Sequence, residues 1–145
     1  MQDSIHFFSE EIEFHLDKED SISHWILSFV SAYKRECGEI NFIFCADDYL
    51  LELNKEHLSH DFYTDILTFP YSEPGKDPIF SDIYISIDRV KENATTLNVS
   101  FEEELHRVMI HGILHLLGYD DHSEEDQALM RKKESEALLL RSFDV

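Results

Sequence analysis

The sequence predicts an α+β fold in which a mixed sheet of about four or five strands packs with helices. Two observations lead to this class. Short segments of alternating apolar residues, typical of strands, are interspersed with helical periodicity as far as Leu97, whereas only helical patterns follow. A histidine-bearing helix and a C-terminal helix therefore close the chain. Its 145 residues are enough for one ordinary core, so we expect a single domain over residues 1–145.

The first part of the chain predicts strands and two helices. The clearest helix has apolar residues, among them Trp25 and Phe29, at helical spacing before a stop at a glycine. The predicted elements are short strands at 4–8 and 12–16, a helix from Ser21 to near Gly38, a strand at 39–46, and a helix capped by Asp47 or Asp48 that runs to about Leu58.

The middle of the chain predicts two further strands and a helix. The segment 64–71 has the composition of a strand, and Pro70 limits how far it can pair centrally because proline has no N–H to donate. A turn-forming segment at 72–78 separates it from a strand at 81–87, and a helix begins near Asp88.

Two helices with recognisable ends complete the prediction. Ser100 followed by Glu103 has the pattern of a capping box, and Gly118 stands where a left-handed C-cap is expected. The second helix begins at Ser123, has acidic residues in its first turn, and runs to about Ser142. His111 and His115 therefore fall in the last two turns of the first of these helices.

Composition excludes several classes of protein. No apolar run approaches the length that spans a bilayer, and the N-terminus lacks the features of a signal peptide, so we expect a cytoplasmic protein. Cys37 and Cys45 show no ligand spacing and are expected to be free thiols, with no disulfide-linked partner. The formal charge of −19 by itself opposes binding to nucleic acid, so such binding would need a cation, a local basic patch or partner proteins.

The segment HGILHLLGYDDH, residues 111–122, predicts a metal site. A spacing of four residues places the imidazoles of His111 and His115 on one face of a helix, where they can share an ion. The glycine turn at Gly118 allows the chain to fold back, so that His122 can supply a third ligand. Three imidazoles with an open fourth position are typical of a catalytic zinc. A histidine pair alone is weak evidence, and His6, His15, His24 and His106 have no partner at such a spacing and are interpreted as structural or exposed.

The zinc peptidase motif HExxH is the nearest alternative with the same histidine spacing. Its glutamate, which serves as the general base, is replaced here by Gly112. A base would then have to come from Asp120, Asp121 or a more distant carboxylate such as Asp65. The missing base argues against a peptidase.

The motif resembles the HGxLHLxGYDH signature of the YbeY family of metal-dependent endoribonucleases, which act in the maturation of bacterial ribosomal RNA. The resemblance continues through LN at 53–54, Asp61, TDILTFP at 64–70, SDIYIS at 81–86, and Met130 with Glu134. It implies one YbeY-like hydrolase domain that holds one zinc ion through His111, His115 and His122. It further implies cleavage of single-stranded RNA in late maturation of the small ribosomal subunit, with ribosomal RNA, that subunit or its assembly factors as partners and no membrane.

Two positions depart from this signature. Asp120 and Asp121 both precede His122, where the family has one aspartate, so either the turn absorbs an extra residue or Asp121 occupies the ligand position. We predict His122 as the ligand, because imidazole is common at zinc, with Asp120 and Asp121 orienting water or a ligand ring. Leu58 stands where the family usually has an arginine, and Lys55, His57 and His60 are the residues predicted to contact substrate in its place.

Two other functions stay open at this point. One is a zinc metallopeptidase-like hydrolase of peptides or small amides. The other is a non-catalytic ribosome-assembly factor whose metal only joins the last two helices.

Overall fold

The computed structural model describes residues 4–58 and 63–145, and within them a four-stranded mixed sheet packs with five helices. This confirms the predicted α+β class and the closing pair of helices. The elements are β1 (Ile5–Ser9), α1 (Glu19–Ala32), β2 (Cys37–Cys45), α2 (Asp47–Leu58), β3 (Ile66–Pro70), β4 (Ile79–Ser86), α3 (Ile87–Leu97), α4 (Phe101–Leu116) and α5 (Glu124–Leu139).

The strand order is β1-β2-β4-β3. β2 runs parallel to both β1 and β4, and β3 pairs antiparallel with β4 at the edge of the sheet. Pro70 is the last residue of this edge strand, which agrees with the predicted limit on central pairing, although the strand is shorter than the predicted 64–71. Because an edge strand pairs on one side only, the missing N–H of Pro70 leaves no partner unsatisfied.

The main core lies between one face of the sheet and the helices α1 and α4. Five of its strand residues are each 1% exposed or less: Ile40, Phe42, Phe44, Ile83 and Ile85. A smaller cluster of Cys45, Leu50 and Leu67 packs around α2. Burial on this scale is the main favourable term in folding, and here it fixes α4 against the sheet.

Gly112 allows α4 to lie close to the sheet. A Cβ atom at this position would lie 2.9 Å from Cδ1 of Ile66 in β3 and 3.3 Å from Ile83 in β4. The position where a zinc peptidase has its glutamate therefore faces apolar side chains of the sheet, where a carboxylate would have no partner. His111, one residue away around the helix, lies outside this contact and is only partly buried.

The predicted strand at 12–16 is wrong, because these residues form a loop. The hydroxyl of Ser9, at the end of β1, donates a hydrogen bond to the Phe14 carbonyl within the loop at 2.6 Å. The Phe14 ring packs against Phe44 and Phe101, at centroid distances of 5.0 and 6.0 Å. The apolar residues at 12–16 therefore anchor a loop to the core instead of forming a strand. Helix α1 is also shorter than predicted, since it ends at Ala32 rather than near Gly38.

Two further findings concern membrane-spanning helices and the thiols. In the described part of the chain, no helix is both long and apolar enough to cross a membrane. Cys37 and Cys45 are both free thiols, and burial raises the pKa of Cys37 to about 11 and that of Cys45 to about 12.

Candidate metal centre

The last two turns of α4 bring His111 and His115 together. Their Nε2 atoms lie 3.1 Å apart, and both rings are partly buried. Two unprotonated ring nitrogens at this distance present their lone pairs to the same point. The pair predicted from a spacing of four residues is therefore formed.

The turn after α4 is a Schellman motif. Gly118 has a φ of 106°, its N–H donates to the His115 carbonyl, and the N–H of Tyr119 donates to the Leu114 carbonyl, both at 3.0 Å. A left-handed residue here reverses the chain with no Cβ penalty, which agrees with the C-cap predicted for this glycine. The reversal returns the following residues toward the imidazole pair.

Asp121 completes a triangle of potential ligand atoms. Its Oδ2 lies 3.3 Å from Nε2 of His111 and 3.5 Å from Nε2 of His115. A tetrahedral ion with bonds of about 2.1 Å would hold its ligand atoms roughly 3.4 Å apart, so these three atoms fit a zinc-sized cation. Two imidazoles and a carboxylate are also donors that such a cation prefers.

His122 is not one of the three grouped residues, although it was the predicted third ligand. It lines the cavity above the imidazoles and is exposed. Neighbouring residues in the segment after the turn direct their side chains differently, so only one of the two reaches the histidine pair. The geometry of the described residues thus groups Asp121 rather than His122 with the histidine pair, and the choice of third ligand stays a prediction.

Glu134 of α5 fixes the ring of His111 from behind. Its Oε2 lies 2.6 Å from Nδ1 of His111, and its Oε1 accepts a hydrogen bond from Arg107 at 2.9 Å. Burial by itself would raise the pKa of Glu134, but the hydrogen bonds from His111 and Arg107 outweigh it and lower that pKa below its usual value. The ionised carboxylate accepts a hydrogen bond from the Nδ1–H of His111. The proton therefore stays on Nδ1, and the lone pair on Nε2 is directed at the ligand triangle.

We expect Glu134→Gln to weaken metal binding roughly 10–100-fold, because the amide is a poorer acceptor for the ring proton of His111. Isothermal titration calorimetry with Zn²⁺ measures the affinity. Glu136→Gln, which removes the same charge from an exposed position of α5, is the matched control and should bind as the parent does. Equal affinities in the two variants would contradict the orienting role of Glu134.

Three adjoining cavities surround the triangle. The central cavity, of about 500 Å³, is lined by both histidines, Asp121 and His122, and by β3 and the residues just before it. A second, of about 370 Å³, lies between α4 and α5 and shares His111 and Asp121 with the first. A third, of about 290 Å³, lies under the β3–β4 loop and shares His115 with the central one. The potential ligand atoms therefore lie at the middle of a continuous depression.

Asp65 is the second carboxylate, besides Asp121, that lines the central cavity. It lines both the central and the α4–α5 cavity, and burial, outweighing the nearby charge of His111, raises its pKa above the usual value. A carboxyl group of this kind is suited to proton transfer. Asp120 is exposed and is not among the residues lining these cavities.

The residues predicted to contact substrate lie on or after α2. Lys55 lies 3.5 Å from Glu52, and the ring of His57 packs edge-on against Phe69 at a centroid distance of 5.7 Å. His60 lies outside the described residues. Among the described residues that line the three cavities, neither Lys55 nor His57 occurs, so their contact with substrate stays a prediction.

Comparison with known proteins places this centre in a family. The family model described as endoribonuclease YbeY matches residues 4–141. The chain belongs to the YbeY family. A YbeY from Flavobacterium psychrophilum, named as an endoribonuclease, is 52% identical over 133 residues, which cover 92% of this chain and 94% of that protein. One from Parabacteroides distasonis is 41% identical and covers 94% of this chain and 95% of its own length.

A solved structure extends the comparison to the fold. The solution structure of a Thermotoga maritima protein superposes with a TM-score of 0.60 at 31% identity, and the match covers 94% of this chain and 87% of the other. In the eleven-residue YbeY signature HGxLHLxGYDH, the last histidine is the eleventh residue. The eleventh residue counted from His111 is Asp121, so the family motif and the triangle agree on the position and differ in the side chain.

Proposed function

We propose that this chain is a metal-dependent endoribonuclease that cleaves phosphodiester bonds in single-stranded RNA, with one zinc ion per chain. The observation that carries the proposal is the triangle of His111, His115 and Asp121 open to a cavity, in a chain whose relatives are named endoribonucleases. Three protein ligands leave a coordination position for water or substrate, which is the arrangement of a catalytic site.

The residues of the chain have separate tasks in this proposal. When bound, a zinc ion would supply Lewis acidity toward the phosphodiester. His111, His115 and Asp121 would hold it, and Glu134 keeps the lone pair of His111 directed at the ligand triangle. Asp65 accepts or returns a proton within the central cavity, whereas Asp120, which the sequence suggested for orienting water, does not line that cavity. Gly112 faces the sheet and cannot act as the general base that the zinc peptidase motif has at this position, which argues against peptidase activity.

The biological setting that we propose is late maturation of small-subunit ribosomal RNA in the cytoplasm. With a formal charge of −19, the chain repels free RNA over most of its surface. Ribosomal RNA presented on the small subunit or with assembly factors overcomes this repulsion, because contacts between proteins add to the local field of the cation. We therefore expect weak, salt-sensitive binding to isolated RNA.

The test is cleavage of matched substrates with and without metal. We expect the zinc-loaded protein to cut a single-stranded RNA, to leave its duplex and the corresponding single-stranded DNA intact, and to lose activity on chelation and regain it with Zn²⁺. A folded, stoichiometrically loaded protein that cuts no RNA would contradict the proposal. Cleavage of a peptide library by the same preparation would favour the metallopeptidase-like hydrolase, and unfolding on chelation without any cleavage would favour a structural ion.

A further inference from the structure

Among the residues that the structure describes, one basic side chain that forms no ion pair lies at each end of the depression around the ligand triangle. Residues of α4 and α5 line the α4–α5 cavity at helical spacing, and Arg131 of α5 is one of them. Lys76, in the β3–β4 loop, lines the cavity at the opposite end. The two cavities adjoin the central one on either side of the triangle, through His111 and His115 respectively.

The other two cations of these cavities are already neutralised. Arg107 donates to Glu134 at 2.9 Å and to Ser135 at 3.2 Å. Arg35 donates to Asp77 at 2.8 Å. By contrast, within residues 4–58 and 63–145 the side chains of Arg131 and Lys76 make no hydrogen bond or ion pair, and both are exposed.

The backbone holds both residues in place. Arg131 lies in the middle of a sixteen-residue helix. The N–H of Lys76 donates to the Glu73 carbonyl at 3.0 Å, and its carbonyl accepts a hydrogen bond from Arg35 at 3.1 Å. A charged head left free on a fixed backbone retains its full hydrogen-bonding capacity for a ligand.

Two of the acidic groups of the same cavities are buried. Glu134 and Glu104 are 4% and 5% exposed, and Glu134 is already paired with Arg107. Asp121 belongs to the ligand triangle, which leaves Asp65 and Glu73 as further carboxylates lining the depression. Each end of the depression thus has one exposed cation, with the exposed Glu73 beside Lys76 at one end, although the molecule as a whole is strongly acidic.

We propose that a single strand of RNA lies along this depression, with Lys76 and Arg131 contacting backbone phosphates on opposite sides of the one that is cleaved. This inference rests on the proposed function and names the residues that position its substrate. Contacts to phosphate fix the register of a strand without reading its sequence. Lys76 and Arg131 then supply the basic contacts for which the sequence offered Lys55, His57 and His60.

The test uses the dependence of RNA affinity on salt. For single strands, each phosphate contact contributes about 0.7 to the slope of log Kobs against log salt. Binding of a fluorescent, phosphorothioate-linked oligouridylate to the zinc-loaded protein is measured by anisotropy over a range of salt concentrations. We expect the slope to fall by about 0.7 in Lys76→Gln and in Arg131→Gln, and by about 1.4 in the double variant.

Two variants control for net charge. Lys91→Gln in α3 and Lys132→Gln in α5 each remove one positive charge from an exposed position that does not line these cavities. We expect both to keep the parent slope. Cleavage assays in parallel should show KM for single-stranded RNA raised several-fold in Lys76→Gln and Arg131→Gln, with kcat unchanged at saturation.

The possible outcomes distinguish a failure of this inference from a failure of the proposed function. If the parent protein neither binds nor cleaves RNA, the proposed function fails. If the parent cleaves RNA but Lys76→Gln and Arg131→Gln show the slopes and KM of the control variants, the function stands and the path of the strand is wrong. A fall in kcat with unchanged KM would also overturn the positioning role.

Discussion

We expect the Asp121→Ala protein to lose its metal ion and the His122→Ala protein to keep it. Asp121 Oδ2 lies 3.3 and 3.5 Å from the two imidazole nitrogens, whereas His122 is exposed at the edge of the cavity. Removing one of three ligands should cost more than the roughly 10–100-fold expected for a residue that only orients a ligand. Metal content after dialysis, together with titration by Zn²⁺, measures both variants.

A third variant tests the position separately from the side chain. Asp121→His places an imidazole at the eleventh position of the signature, and we expect this protein to bind zinc, because imidazole is a common zinc ligand. Circular dichroism of each variant shows whether the fold is kept. Zinc retained in Asp121→Ala and lost in His122→Ala would restore the ligand set that the sequence alone predicts.

Local signals explain what could be predicted of the centre. The spacing of His111 and His115 depends only on the geometry of one helix, and Gly118 ends that helix by a rule that involves a few neighbouring residues. Both features are formed. The choice between Asp121 and His122 depends instead on the path of the segment after the turn, where a shift of one residue redirects the side chain. The helix and the turn could not decide it, although the count along the family signature gives Asp121.

Contacts between distant residues explain what was missed. Glu134 is 23 positions from His111 and reaches it only because α5 packs on α4. The only sequence signal for it was its match to a family position. Glu103 is a second residue whose side-chain partner is distant in the sequence. The Ser100 hydroxyl accepts from the Glu103 N–H, as a capping box requires, but the Glu103 carboxylate binds Arg141 at 2.8 Å.

His106 is the second residue at which a large effect is expected. It has no partner spacing in the sequence, and the structure buries it to 4% exposure, with Nδ1 at 2.8 Å from the guanidinium of Arg141. Because arginine only donates, Nδ1 is the acceptor and the ring is neutral. Burial first, and then the charge of Arg141, lower the pKa of His106 to about 4, against a weaker opposing effect of Glu103.

This shift makes stability depend on pH in a definite direction. In the unfolded chain the ring has a pKa of about 6.5, so between there and the folded value of about 4 the unfolded state binds the extra proton. The free energy of unfolding from this group is therefore fully present above about pH 7 and is lost as the pH falls toward 4. A difference of about 2.5 pKa units corresponds to about 3 kcal/mol, of which about 2 kcal/mol should be lost by pH 5.

His106→Asn isolates this effect, because its amide oxygen can accept from Arg141 near the place of Nδ1 and does not titrate. Urea unfolding of both proteins at about pH 7.5 and pH 5 gives the difference between their pH dependences, and we expect the parent to lose about 2 kcal/mol more than the variant. Asp65 and Glu104, whose pKa values are raised by burial, act in the opposite direction but are present in both proteins and cancel. Equal pH dependence in the two proteins would mean that the pKa of His106 does not change on folding, and it would contradict the predicted shift.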